Sequence, residues 1–137
     1  MDSKGRVSIP PGYRVELQSR SDQAPFLTTA DRCLALYAHE EWLKYEDRLA
    51  GLNVFDPNAE ALGRLMLSGA NPAPIDAQGR ILVPPAYREH AGLEREVMVA
   101  GVGHRVELWD KGRFEAELQK TQVRYFEISS ALSKLGM

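Results

Sequence analysis

Residues 2–14 read DSKGRVSIPPGYR, and residues 76–88 read DAQGRILVPPAYR. Seven of the thirteen positions are identical at a constant offset of 74: the aspartate, the glycine, the first arginine, both prolines, the tyrosine and the last arginine. Val7 and Ile9 are answered conservatively by Ile81 and Val83. An internal repeat settles the plan of a chain before its elements are read. With 137 residues, the plan is one domain or two small intertwined halves, each built on one copy.

The correspondence runs on beyond the quoted words. FLTTADRCLALYAHEEW (26–42) is answered by VMVAGVGHRVELWDKGRF (97–114), where at an offset of 72 Leu34 answers Val106, Leu36 answers Leu108, Tyr37 answers Trp109 and Trp42 answers Phe114. Alternation around Val7-Ser8-Ile9 and Ile81-Leu82-Val83 predicts short strands. Pro10-Pro11 and Pro84-Pro85 end them, since proline brings no N–H to a ladder, and the second proline of each pair suits the first turn of a helix. Tyr87–Ala91 reads as such a helical turn, with Gly92 at its C′ position. Residues 96–100 and 105–109 read as a hairpin around Gly101 and Gly103. Trp42, Tyr45, Leu49 and Leu52 mark one helix face, and Leu62, Leu65, Met66 and Leu67 another, with Asp56-Pro57-Asn58 as turn and cap between them. Phe114, Leu118 and Thr121 begin a further helix, and Tyr125, Ile128, Leu132 and Leu135 keep helical spacing to the end. Asn71-Pro72-Ala73-Pro74 divides the chain into a first half, 1–70, and a second, 71–137, expected to form one intertwined domain.

Charge is distributed unevenly under a net charge of −2. Residues 2–14 hold Lys4, Arg6 and Arg14 against Asp2, and residues 76–88 hold Arg80 and Arg88 against Asp76. Residues 31–64 set seven carboxylates against four cations. Positive charge therefore gathers in the repeated stretches, and distribution counts for more than the sum where nucleic acid is concerned. No apolar run is long enough to span a bilayer, the N-terminus shows no signal-peptide core, and the single cysteine, Cys33, has no internal partner. These features lead to the expectation of a soluble cytoplasmic protein.

The Asp-x-x-Gly-Arg unit has a physical reading. Glycine permits positive φ, and aspartate closes the turn by accepting from backbone N–H groups a few residues on. The arginine then stands at the mouth of a strand on a rigid turn. It either pairs with the aspartate or projects a planar, permanent charge suited to phosphate oxygens or to the N7/O6 edge of guanine. One copy alone would read as a structural turn with an Asp–Arg staple. Two copies, each followed by the same strand and proline pair, predict two equivalent basic loops.

These motifs, with RCLALYAHEEW in the first half and HAGLEREVMVAGVGHRVELWD in the second, resemble the MraZ family along nearly the whole chain. The resemblance implies an α+β fold of the AbrB-like, swapped-hairpin kind, in which β-hairpins from the two repeats interleave into one small barrel with flanking helices. It implies a DNA-binding transcriptional regulator, a repressor above all, acting on short direct repeats upstream of the division and cell-wall gene cluster, its own promoter included. It also implies assembly into a homo-oligomeric ring at the nucleoid, and direct repeats are the pattern a ring of rotated copies would engage. Carried onto this chain, the DNA-contacting loops are Asp2–Arg6 and Asp76–Arg80. Lys4, Arg6 and Arg80 are expected to touch DNA, with Gln78 beside them on base or phosphate. Asp2, Gly5, Asp76 and Gly79 are expected to shape the loops. Arg14 and Arg88 are expected either at phosphate or at a subunit interface. Family members carry further residues before the motif, a strand among them, whereas only Met1 precedes Asp2 here. The expectation is therefore a natural start further upstream, since an absent strand would leave a sheet edge open.

Other residues point away from chemistry. His39, His90 and His104 are scattered without ligand spacing, so no metal is expected. Cys33 suits a buried apolar role, and the repeated aromatics Tyr37, Trp42, Trp109 and Phe114 suit a core. The charges of 40–48 suit a solvated helix face, and Gly101-Val102-Gly103 lacks the lysine and following helix of a phosphate cradle. The apolar spacing at 125–135 suits either core or a subunit contact. No convergent acid, base and nucleophile can be named, so neither an enzyme nor a cofactor is expected. Two alternatives stand beside the regulator. One is an antitoxin-like DNA-binding protein with a protein partner. The other is a structural ring that binds no nucleic acid, in which Arg6 and Arg80 would turn into aspartate pairs.

Overall fold

The two repeated strands meet each other. In the computed structural model, which describes residues 1–18, 22–52 and 55–136, β1 (Arg6–Ser8) pairs antiparallel with β5 (Arg80–Leu82), and Val7 lies opposite its own repeat counterpart, Ile81. Two reciprocal bonds extend the pair. Ile9 N–H donates to Gly79 O at 2.8 Å, and Val83 N–H donates to Gly5 O at 2.8 Å. The prolines then turn each chain away into a helix, α1 (Pro11–Gln18) and α4 (Pro85–Ala91). Gly92 ends α4 in the left-handed conformation at φ 64°, as its C′ position requires.

The remaining strands, β2 (Phe26–Thr29), β3 (Leu34–Tyr37), β4 (Asn71–Pro72), β6 (Val97–Val102) and β7 (Arg105–Asp110), form a five-stranded antiparallel sheet in the order β4-β2-β3-β7-β6. Each repeat contributes one hairpin, and the hairpins join through β3 and β7, where Ala35 faces its counterpart Glu107. Both sheets thus pair equivalent residues at their centres. Among the described residues the strands form two separate sheets and not one closed hydrogen-bonded barrel. The physical reason lies in the proline pairs, which stop the β1–β5 ladder before it can join the larger sheet. The 71–74 boundary is partly strand: Asn71 and Pro72 pair along the outer edge of β2, a position where proline is tolerated.

Side-chain alternation divides the core in two. Leu34, Leu36, Val106 and Leu108 face the β1–β5 ribbon and pack with Val7, Ile9, Ile81, Val83, Tyr87 and Leu27. Cys33, Ala35, Tyr37 and Trp109 face the other way, onto Trp42 and Met66. Trp42 and Tyr45 come from α2 (His39–Ala50) and Met66 from α3 (Pro57–Leu67), while Phe114 comes from α5 (Lys111–Val123). Tyr37, Trp42 and Trp109 are therefore core, with Phe114 partly buried against them. Asp56 caps α3 by accepting from Asn58 N–H at 2.8 Å. Two expectations need correction. Leu52 lies beyond the end of α2 and is exposed, because Gly51 terminates the helix. Of the apolar set on α3, only Met66 is buried, since the sheet receives α3 on a narrow stripe. Of the two alternatives for the spacing at 125–135, core is excluded, since neither α5 nor α6 (Tyr125–Ser133) holds a fully buried residue.

Candidate nucleic-acid interface

Each repeated loop is closed by its aspartate. Asp2 Oδ1 accepts from the N–H groups of Lys4 at 3.0 Å and Arg6 at 2.9 Å, and Oδ2 accepts from Arg6 Nε at 2.6 Å. Asp76 repeats the arrangement, accepting from Gln78 N–H and Arg80 N–H, both at 2.9 Å, and from Arg80 Nε at 3.1 Å. Gly5 and Gly79 complete the turns at φ 84° and 78°, where a side chain would be strained. The N–H of Arg6 holds the Asp2 carboxyl down at about 2, with the Arg6 guanidinium and Lys4 N–H acting in the same sense. The N–H of Arg80 lowers Asp76 likewise. Asp2 and Asp76 are thus the acceptors within the two loops, and Gly5 and Gly79 their positive-φ positions.

The arginines are held and still reachable. Arg6 and Arg80 give Nε to their aspartates, and their side chains keep 32% and 26% of their surface exposed. Both lie on the face of the β1–β5 ribbon opposite the core, with Ser8 and Leu82, while Val7 and Ile81 point inward. The register makes Arg6 and Arg80 diagonal neighbours across the ribbon, and Arg80 Nη1 stands 3.9 Å from Asp2 Oδ2 of the other loop. Lys4 and Gln78, both exposed, occupy the equivalent loop positions, and Gln78 Oε1 accepts from Arg80 Nη2 at 3.4 Å. Lys4, Arg6, Gln78 and Arg80 are therefore brought together at one ribbon.

Arg14 and Arg88 behave differently. Arg14 Nε donates to Ile9 O at 2.7 Å and Arg88 Nε donates to Val83 O at 2.8 Å, each within its own repeat. Their guanidiniums then lie over the glycine of the opposite repeat. A Cβ on Gly79 would stand 2.4 Å from Arg14 Cζ, and one on Gly5 would stand 2.5 Å from Arg88 Cζ. Arg88 Nη2 also reaches Lys4 O at 3.5 Å.

Arg95 and Lys111 escaped the sequence reading. They line the groove beside the ribbon with Asp2, Arg6, Ser8 and Arg80. Neither is repeated in kind, since the residues 72 positions earlier are Gln23 and His39, and only the meeting of β6 and α5 beside the ribbon reveals them. Away from the ribbon, burial pushes the Cys33 thiol up to about 12, with the Glu107 carboxylate adding to the effect. Among the described residues no group of His, Cys, Asp and Glu is placed to hold a metal, and no helix is long and apolar enough to cross a membrane.

A family described as "MraZ protein, putative antitoxin-like" matches residues 1–65 and again residues 66–134. The chain is similar to a protein of Halothermothrix orenii named transcriptional regulator MraZ, 39% identical over all of this chain and 94% of the relative. A protein of the same name from Thermoanaerobacter pseudethanolicus is 41% identical over the same shares. One from Coxiella burnetii is 39% identical over 84% of this chain and 77% of the relative. Two matches to one family, each holding one Asp-x-x-Gly-Arg loop of the ribbon, place the chain in the MraZ family.

Proposed function

We propose that the chain is a DNA-binding transcriptional regulator, in the first place a repressor, which reads duplex DNA with loops 2–6 and 76–80. The observation that carries this reading is the paired ribbon. Two equivalent rigid loops set Arg6 and Arg80 on one solvent face, with Lys4 and Gln78 beside them. Guanidiniums suit phosphate or guanine edges, and the amide of Gln78 suits an adenine edge or a phosphate. The names of the relatives support regulation of transcription. The family resemblance supports the finer reading: an AbrB-like interleaving of the two repeats, short direct repeats in the chain's own promoter and the division and cell-wall cluster as target, and a homo-oligomeric ring in the cytoplasm at the nucleoid. The reading requires no cofactor and no catalysis.

One observation favours a second reading, a ring-forming protein without nucleic acid: both arginines give their Nε to an aspartate. Fluorescence anisotropy separates the two. A labelled duplex from upstream of the chain's own gene is titrated against a scrambled duplex at several salt concentrations. Lys4→Ala is expected to weaken binding to both duplexes and to lower the salt slope by about 1. Arg6→Ala and Arg80→Ala are each expected to cost about 1–3 kcal/mol on the specific duplex. Equal, weak binding to both duplexes, unmoved by any of these substitutions, would leave the second reading standing.

A further inference from the structure

The repeat makes two loops, and something must hold them at a constant spacing if they are to meet DNA together. The β1–β5 ladder is three residues long on each side, too short to be stiff alone. Arg14 and Arg88 supply a second constraint, and it is crossed. Arg14 leaves α1 of the first repeat, is fixed by Nε on Ile9 O, and covers Gly79 of the second loop. Arg88 leaves α4 of the second repeat, is fixed by Nε on Val83 O, and covers Gly5 of the first loop. The same two residues deliver the backbone bonds that cross between repeats, Ile9 N–H to Gly79 O and Val83 N–H to Gly5 O. Each arginine therefore grips the residue whose N–H binds the loop, and its guanidinium closes over that same loop.

Resting on the DNA-binding reading above, we infer that Arg14 and Arg88 are crossed positioning residues: Arg14 sets loop 76–80, and Arg88 sets loop 2–6. The planar guanidinium suits the task because it lies flat on a bare glycine Cα, where the ammonium of lysine has no plane to offer. The glycines are then required twice, once for φ and once because any Cβ would occupy the guanidinium's place.

A crossed clasp makes a crossed prediction. Arg14→Ala disorders the loop that holds Gln78, so a further Gln78→Ala has little left to remove, while Lys4→Ala keeps its full effect. Arg88→Ala couples to Lys4→Ala and not to Gln78→Ala. The test is a set of four double-mutant cycles on duplex affinity, with single losses of about tenfold expected for each arginine. Contacts made directly by Arg14 and Arg88 to phosphate would be additive in all four cycles, and a general loss of stability would touch all four alike. Either pattern overturns the inference. A second measurement is independent of DNA and of the harsher substitution. In the free protein, Arg14→Lys is expected to shift the backbone amide resonance of Gly79 and spare Gly5, and Arg88→Lys to do the reverse. Equal shifts at both glycines, or none, also overturn it. If the parent binds no duplex, the DNA reading fails, and the glycine resonances still decide whether the clasp exists.

Discussion

Asp2 and Asp76 each receive three donors from their own loop, two backbone N–H groups and an arginine Nε. The carboxylate form is the acceptor, so these bonds favour ionisation and depress the folded pKa. For Asp2 the value falls from 3.8 to about 2, with the N–H of Arg6 as the first cause. The sign follows from linkage: a depressed carboxyl contributes stability that is complete above its unfolded value and is lost as pH falls through its folded one. Loop 2–6 is therefore expected to stay closed at neutral pH and to open only as pH falls to about 2. The amide resonances of Lys4 and Arg6, followed through an acid titration, should move with a midpoint near 2. Movement centred at an ordinary carboxyl value would show that the loop bonds do not hold.

At the scale of elements, the β1–β5 ribbon owes its place to one face. Val7, Ile9, Ile81 and Val83 are buried against the larger sheet, and fully burying such a side chain contributes about 1.5–3 kcal/mol. Adjacent residues on β5 separate this role from the outward one. Ile81 is 1% exposed and Leu82 is 58% exposed. Ile81→Ala is expected to cost about 2–5 kcal/mol in chemical unfolding, whereas Leu82→Ala should stay within about 0.5 kcal/mol. Comparable costs at both positions would contradict the facing of the ribbon. Because Arg6 and Arg80 share the outward face with Leu82, the same experiment tests how the interface is presented.

For the whole molecule, an apolar surface remains at the far end of the second repeat. Val123 is 82% exposed, Phe126 84% and Leu135 81%, all on or beside α5 and α6. Exposed apolar surface of this kind is what self-association would cover, which accords with the proposed ring. Phe126→Ser combined with Val123→Ser is expected to shift sedimentation from an assembled species to a smaller one. Duplex binding should weaken with it, since linked sites gain affinity through effective concentration. An unchanged sedimentation profile would remove α5 and α6 from the assembly.

Repetition, alternation and the proline breaks were legible in the chain because they depend on near neighbours. The two Asp-x-x-Gly-Arg loops, the strands at Val7 and Ile81, the Asp56 cap, the Gly92 terminus and the aromatic core followed from local rules. What no local rule contains is which copy meets which. The pairing of Val7 with Ile81, the joining of β3 to β7, the separation into two sheets and the crossing of Arg14 and Arg88 onto opposite glycines depend on contacts tens of residues apart. The same holds for Arg95 and Lys111, which reach the ribbon only because β6 and α5 pack beside it. The helical spacing of α6 named an apolar face without naming its neighbour, since periodicity records that a face exists and not what lies against it. Two equivalent loops, each with its aspartate, glycine and arginine, are written in near-neighbour residues. That they stand side by side follows from long-range packing of the buried faces, which brings the copies together.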